Sequence, residues 1–310
     1  MIRAGLLWLS ERERAFRFVR RNGLARRLVG RFVAGDTGVE ALGVIRQLAR
    51  RGVTATVDLL GESVTRPEEA RAARDEYLAM LDRMKHGGVE PNASVKLTQM
   101  GLDIDQNLCV ENLHAILERA RTHGAFVRID MESAAYTERT LRLFHEVFFP
   151  EFGKQVGVVI QSALRRSEAD VARLIDTRAR VRLCKGAYKE PSSVAYPRKR
   201  DVDQAYARLL ERLLVEGNYP AIATHDEGLI THAREFAASR GISPEAFEFQ
   251  MIYGVRRDLQ DALRREGHRV RVYVPYGEQW YPYLMRRLAE RPANLGFFVK
   301  SVFKESTARQ

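Results

Sequence analysis

VRLCKG at 181–186, DVDQAYARLLERLLVEG at 201–217 and AIATH at 221–225 follow one another as an apolar run, an amphipathic segment and a second apolar run. In the middle piece Val202, Ala205, Tyr206, Leu209, Leu210, Leu213 and Leu214 recur at helical spacing and form one stripe. Gly217 stands where that helix should stop. The flanking runs are short and largely apolar, as strands covered on both faces are. Strand, helix and strand in this order argue for a parallel pair.

The same texture extends in both directions. Upstream lie TATVDLL (54–60), ASVKL (93–97), FVRIDM (126–131) and VGVVIQ (156–161); downstream lie FEFQMIY (247–253) and VRVYVPYG (270–277). Eight such runs alternating with helices predict an α/β fold, a (β/α)₈ TIM-like barrel over 51–303. A doubly wound open sheet is the alternative, and it suits eight units less well. Thr65-Arg-Pro-Glu68 has capping-box spacing with proline in the first turn, which predicts a helix start. A barrel places its chemistry at the C-terminal ends of the strands.

Length and composition agree with this. The 310 residues, 45% hydrophobic, can build one large core without a disulfide or metal staple. Cys109 and Cys184 show no C-x-x-C spacing, and a reducing cytosol is expected. In MIRAGLLWLSERERAF charges arrive too early for a secretion signal, and no 18-residue apolar stretch predicts a membrane span.

The net charge of +11 invites a nucleic-acid partner, but its distribution matters. Twelve arginines against four acidic residues within 1–51 account for +8 of it. Residues 1–50 therefore read as a basic helical arm, SERERAFRFVRRN and VEALGVIRQLARR joined by GRFVAGDTG, and 304–310 as a disordered tail. No aromatic interleaving or DNA-reading motif accompanies the arginines, so no nucleic-acid partner is expected. The joining loop lacks the G-K-[ST] ending of a phosphate loop, and no G-x-G-x-x-G follows a strand. Asp103-Ile-Asp105 lacks the glycine and glutamate of a calcium loop and reads as a helix cap. Seven histidines form no H-x-H or H-E-x-x-H pair, so no metal is expected.

The strand ends carry the chemistry. Glu62 follows the first run, and Lys96, Asp130, Met131, Gln161 and Arg182 stand in or after the next four. Lys185, Gly186, Ala187 and Tyr188 follow the fifth, Thr224 and His225 close the sixth, and Tyr273 lies in the eighth. Charges directed into a barrel need partners, so this set predicts a polar pocket around something charged. In EQWYPYLMRRLAERP, Tyr283, Arg286 and Arg287 share a helical face. Two arginines and a tyrosine suit a carboxylate attached to an apolar body. From the residues alone the ligand is a small carboxylate in a barrel mouth.

LLGE, SVKL, RIDME, VVIQ, VRLCKGAY, ATHDE, FEFQMIYG, VYVPYG and YLMRRLAE, in this order over roughly 50–303, strongly resemble the proline dehydrogenase family. The likeness is to its monofunctional bacterial members, which are similar to the barrel domain of bifunctional proline-utilisation proteins. It implies a distorted barrel and FAD-dependent oxidation of L-proline to Δ¹-pyrroline-5-carboxylate, by hydride transfer to flavin N5. This would be the first step of proline degradation to glutamate, with electrons passed to a membrane quinone. With no aldehyde dehydrogenase domain in the chain, a separate pyrroline-5-carboxylate dehydrogenase would use the product.

By the same resemblance, Arg286, Arg287 and Lys96 neutralise the substrate carboxylate, and Tyr273, Tyr283 and Ile252 wall its ring. Glu62 pairs with Arg286 as a gate, Asp130 orders the network and Arg182 reaches the flavin N5 edge. Met131, Gln161, Lys185, Gly186, Ala187, Tyr188, Thr224 and His225 bind FAD. Lys189 departs from the tryptophan that bifunctional members often carry there. A polybasic arm suits attachment to anionic lipid, so a cytoplasmic enzyme peripherally bound to the inner face of the cell membrane is expected. The competing reading is a class I aldolase with Lys96 or Lys185 as Schiff-base lysine. Against it stands the expectation that both lysines sit among anion-binding neighbours.

Overall fold

All eight expected strands form, and they close on themselves. The structure, a computed structural model, describes residues 29–290, with side chains as far as Met285. The strands are β1 (Thr54–Leu59), β2 (Asn92–Val95), β3 (Phe126–Ile129), β4 (Val156–Gln161), β5 (Arg180–Cys184), β6 (Ala221–Ala223), β7 (Glu248–Ile252) and β8 (Val270–Tyr276). Each pairs in parallel with the next, and β8 returns to β1 from Thr54↔Arg271 through Leu59↔Tyr276. An open sheet would leave β1 and β8 as edges; here each has two neighbours.

The helices are α1 (Gly38–Arg50), α2 (Pro67–His86), α3 (Gln106–His123), α4 (Ala134–Leu143), α5 (Ser167–Asp176), α6 (Lys199–Glu216), α7 (Glu227–Ser239), α8 (Arg257–Arg265) and α9 (Trp280–Glu290). Past α4 the chain continues through a π turn, Phe144–Phe148, and a short turn, Phe149–Phe152, before β4. Among the described residues no helix is long and apolar enough to cross a membrane.

Helix α1 revises the N-terminal reading. Thr37 and Glu40 form a reciprocal capping box that starts it. Its stripe of Ala41, Leu42, Ile45 and Leu48 then enters the same core as the barrel strands. Burial of four apolar side chains makes α1 a barrel helix, although a charge count places it with the arginines upstream. Residues 1–28, with the other helix of the expected arm, and 291–310, with the expected tail, lie outside the described residues. The cap of α2 also differs from expectation. Pro67 occupies the first helical turn and Arg66 is the N-cap, so the third helical position falls on Glu69 rather than Glu68. Glu69 accordingly receives the Thr65 amide at 3.3 Å.

Segment 29–36 straps the rim where the strands end. Ala34 N–H donates to the Pro275 carbonyl at 2.8 Å, and Gly277 N–H to the Gly35 carbonyl at 3.0 Å. Gly254 has φ +76°, and a Cβ there would lie 1.7 Å from the Arg31 carbonyl oxygen. Val29 and Val33 join Leu60, Trp280, Tyr281, Tyr283, Leu284 and Met285 in a second apolar cluster, which seats α9 beside the end of β1.

Inside the barrel, alternate strand residues are polar. Thr56 donates to Asn92. Arg271 holds Glu248 at 3.0 and 3.1 Å, the Ala55 carbonyl at 3.0 Å and Glu90 at 2.9 Å. The residues between them, among them Val57, Val95, Val127, Phe249 and Val272, are buried in the main apolar core. Arg128 gains room because position 157 is glycine: its Nη1 donates to the Arg180 carbonyl at 2.6 Å. A Cβ on Gly157 would lie 2.6 Å from both Nη1 and that carbonyl. Since a backbone carbonyl cannot swing aside, Gly157→Ala is expected to lose about 1–3 kcal/mol of stability. Urea denaturation of the variant checks this; an unchanged midpoint would mean that the interior yields more easily than its packing implies.

Candidate active site

Four of the polar residues picked out by their positions at strand ends, Lys96, Asp130, Arg182 and Tyr273, converge in one network. Asp130, just past β3, is its centre. Its Oδ1 accepts from Arg182 Nη1 of β5 at 2.8 Å, and its Oδ2 from the Tyr273 hydroxyl of β8 at 2.7 Å. Lys96 Nζ, just past β2, lies 3.4 Å from that hydroxyl and 3.7 Å from Asp130 Oδ2. The Arg182 guanidinium also stacks over the Tyr273 ring, 5.3 Å from its centroid.

Lys96 has a stronger partner that the strand-end reading missed. Asp58 of β1 is buried and accepts from Lys96 Nζ at 2.6 Å. Its signal was present in TATVDLL, where one aspartate interrupts an otherwise apolar and hydroxyl-bearing strand. Gln250 of β7 completes the inner ring, receiving Arg182 Nε and donating to Glu248. Side-chain hydrogen bonds thus run unbroken from the mouth down to the Arg271–Glu248 pair.

These contacts fix protonation. Burial pulls the Lys96 ammonium toward neutrality, but the carboxylates of Asp58 and Asp130 outweigh it and raise its pKa above the ordinary value. Burial, then the charge of Asp130, pushes the Tyr273 phenol well above its usual range, so it stays a donor. Glu62, half-buried on the β1–α2 loop, is near enough to add to the elevation of Lys96.

A second group lines the ends of β4 to β7. Gln161 Nε2 donates to the Glu132 carbonyl at 2.6 Å. Gly186 has φ +105°, and a Cβ there would strike Gln161 Oε1 at 2.7 Å, so the backbone lies bare beside that amide. Ala187 and Tyr188 continue it as an exposed run, whereas Met131 and Thr224 are buried. His225 Nε2 accepts the Ile252 amide at 2.9 Å, which leaves its proton on Nδ1 and ties β6 to the end of β7. Tyr283 is buried in the cluster beneath α9. Arg286 and Arg287 lie on α9 with side chains outside the described residues.

Both lysines have carboxylate neighbours, contrary to the anion-binding surroundings expected. Lys185 Nζ lies 2.6 Å from Asp203 and 2.8 Å from Asp226. Asp226 doubles as the N-cap of α7. The reason is that α6 and α7 start beside the end of β5 and bring Asp203, one turn into α6, and the α7 N-cap Asp226 to it. Elsewhere, His114 and Glu118 of α3 and Glu151 of the turn before β4 bring potential ligand atoms within 4.8 Å of one another, a grouping with no sequence motif.

Comparison with known proteins decides what this barrel is. The sequence profile described as proline dehydrogenase matches residues 41–300. The chain belongs to the proline dehydrogenase family. It is 43% identical to the proline dehydrogenase of Deinococcus radiodurans over 281 residues, covering 89% of this chain and 90% of that one. It is 40% identical to proline dehydrogenase 1 of Bacillus subtilis over 305 residues, 98% of this chain and 100% of the relative. Among solved structures, proline utilization A of Bdellovibrio bacteriovorus, inactivated by N-propargylglycine, superposes with a TM-score of 0.79 at 28% identity. That match covers 85% of this chain, which spans 32% of the longer protein.

The Lys185 cluster gives a pH-dependent test. Its hydrogen bond to Lys185 holds Asp226 below the usual carboxylate value. Burial pushes Asp203 up, but Lys185 and Lys199 outweigh it. A carboxylate lowered on folding stabilises the fold above its unfolded pKa and loses that contribution as pH falls through its folded one. Lys185→Met is therefore expected to unfold at lower urea than the parent at neutral pH, with the gap closing below about pH 4. A gap that persists undiminished in acid would assign the loss to packing rather than to charge.

Proposed function

We propose that the chain oxidises L-proline to Δ¹-pyrroline-5-carboxylate with bound FAD, passing electrons to a quinone, and that a separate dehydrogenase consumes the product. The observation that carries this reading is the network of Asp58, Lys96, Asp130, Tyr273 and Arg182 at the mouth of a barrel of this family. When bound, FAD supplies the acceptor for hydride leaving C5 of proline.

The residues fit such a group. The bare backbone at Gly186 beside Gln161 is a cradle that any side chain would fill, and the exposed run Gly186–Ala187–Tyr188 leaves that edge open. Met131, Gln161, Lys185, Gly186, Ala187, Tyr188, Thr224 and His225 would hold the cofactor. Arg182 would place a buried, carboxylate-anchored cation where negative charge accumulates. The arrangement of Lys185 between two aspartates supports a role in ordering the loop that starts at Gly186.

Toward the substrate, Arg286 and Arg287 would bind the carboxylate by charge-assisted bonds and Lys96 would add its charge. Because Asp58 already balances Lys96, that ammonium is held in place before any ligand arrives. Tyr273, Tyr283 and Ile252 would wall the pyrrolidine ring and exclude water. Asp130, fixed by two donors and the nearby Lys96 ammonium, would hold Tyr273 and Arg182 in register. Glu62 would close against Arg286 as a gate. Schiff-base chemistry at Lys96 is disfavoured, since a nucleophilic lysine must be neutral and this one is held as an ammonium. The basic excess of +8 in residues 1–51 supports a peripheral contact with anionic lipid, close to a membrane quinone.

Purified protein is expected to show a flavin spectrum that bleaches on addition of proline; a colourless protein without proline-dependent dye reduction would refute the reading. Arg287→Met is expected to raise the proline concentration for half-saturation about ten- to hundredfold while sparing FAD content. Arg182→Met should lower turnover or flavin occupancy, and unchanged catalytic efficiency in it would remove Arg182 from the cofactor site.

A further inference from the structure

The turn after β2 reads Lys96-Leu97-Thr98-Gln99. Lys96 belongs to the substrate network, but the next two polar side chains serve another segment. Thr98 is fully buried, and its hydroxyl oxygen accepts the Ser63 amide of the β1–α2 loop at 3.0 Å. The same hydroxyl donates to Glu132 Oε1 at 2.6 Å, while the Thr98 amide donates to Glu132 Oε2 at 3.2 Å. Gln99 Nε2 donates to the Leu59 carbonyl at 3.0 Å, where that loop leaves β1.

A hydroxyl has one proton and two lone pairs. Commitment of the proton to Glu132 turns a lone pair toward Ser63. The carboxylate thereby fixes the rotor that receives the loop. Ser63 has φ +54°, a left-handed conformation that a residue with a β-carbon keeps only where its surroundings hold it. The residue before it is Glu62. Lys96 and Asp130 form one tier above the barrel, and two residues further along the same segments Thr98 and Glu132 form the next.

We propose that Thr98 and Glu132 are positioning residues that hold the loop 60–66 in place and so set where Glu62 stands over the site. The inference rests on the reading of Glu62 as a ligand-side gate. It explains why a buried carboxylate that forms no salt bridge among the described residues sits two residues from Asp130: its hydrogen bonds come from the two donors of one threonine, and its effect is exerted on the neighbouring loop.

The test is amide hydrogen exchange across 60–66 together with steady-state kinetics, on FAD-loaded protein carrying Thr98→Val, Thr98→Ser, Glu62→Gln or Thr98→Val with Glu62→Gln. Valine keeps the shape and removes both hydroxyl bonds. Exchange in 60–66 should rise about tenfold in Thr98→Val, with β2 still protected. Half-saturation by proline should move more than turnover. Thr98→Ser should restore both, and Thr98→Val should add little to the kinetic effect of Glu62→Gln. Loop exchange unchanged in Thr98→Val, or raised equally throughout the barrel, overturns the proposal. If Glu62→Gln leaves proline saturation unaltered while Thr98→Val still loosens the loop, the gate reading fails and the anchor stands. If Glu62→Gln alters saturation but Thr98→Val loosens nothing, the anchor fails and the gate reading stands.

Discussion

Closing eight strands sends every second side chain into a space that water reaches only from the ends, and a charge placed there persists only with a partner. This chain fills much of that space with charges. Arg271 and Glu248 satisfy each other at one level, and Gln250 carries the connection to Arg182, then Asp130, Tyr273, Lys96 and Asp58. Removing any member strands its neighbours, so these residues act as one unit. Preorganisation at the mouth follows from that pairing and needs no ligand to impose it.

The two lysines show how context divides similar residues. Lys96 is enclosed, and its two carboxylates keep it a donor at one position. Lys185 is partly exposed and bridges the starts of two helices. The first sits in the polar unit inside the barrel, the second at the foot of an exposed loop. A sequence shows only that each follows a strand.

Fold and site were legible to different degrees. The strands could be found because short β-branched runs separated by amphipathic helices leave few alternatives, and the interior ring because Lys96, Asp130 and Arg182 interrupt apolar surroundings. Asp58 escapes although it obeys the same rule, since a search of the residues at the end of the first run settles on Glu62 in the following loop. A count of arginines places helix α1 in the basic arm, whereas the spacing of Ala41, Leu42, Ile45 and Leu48 carries the opposite message. Thr98 and Glu132 leave no local trace. Their relation to Ser63 exists only after β1, β2 and β3 lie side by side.

The strap formed by 29–36 sets a boundary on how the chain can be cut or joined. Its amide at Ala34 and carbonyl at Gly35 satisfy backbone groups at the end of β8, and the Arg31 carbonyl occupies space that Gly254 leaves open. A shortened chain that began at α1 would keep every strand and lose this lacing, exposing Pro275 and Gly277 to solvent and removing Val29 and Val33 from beneath α9. The helix carrying both arginines would then lose part of its bed. For fusion, trimming or circular permutation, a cut has to fall upstream of the strap, not where the first core helix starts.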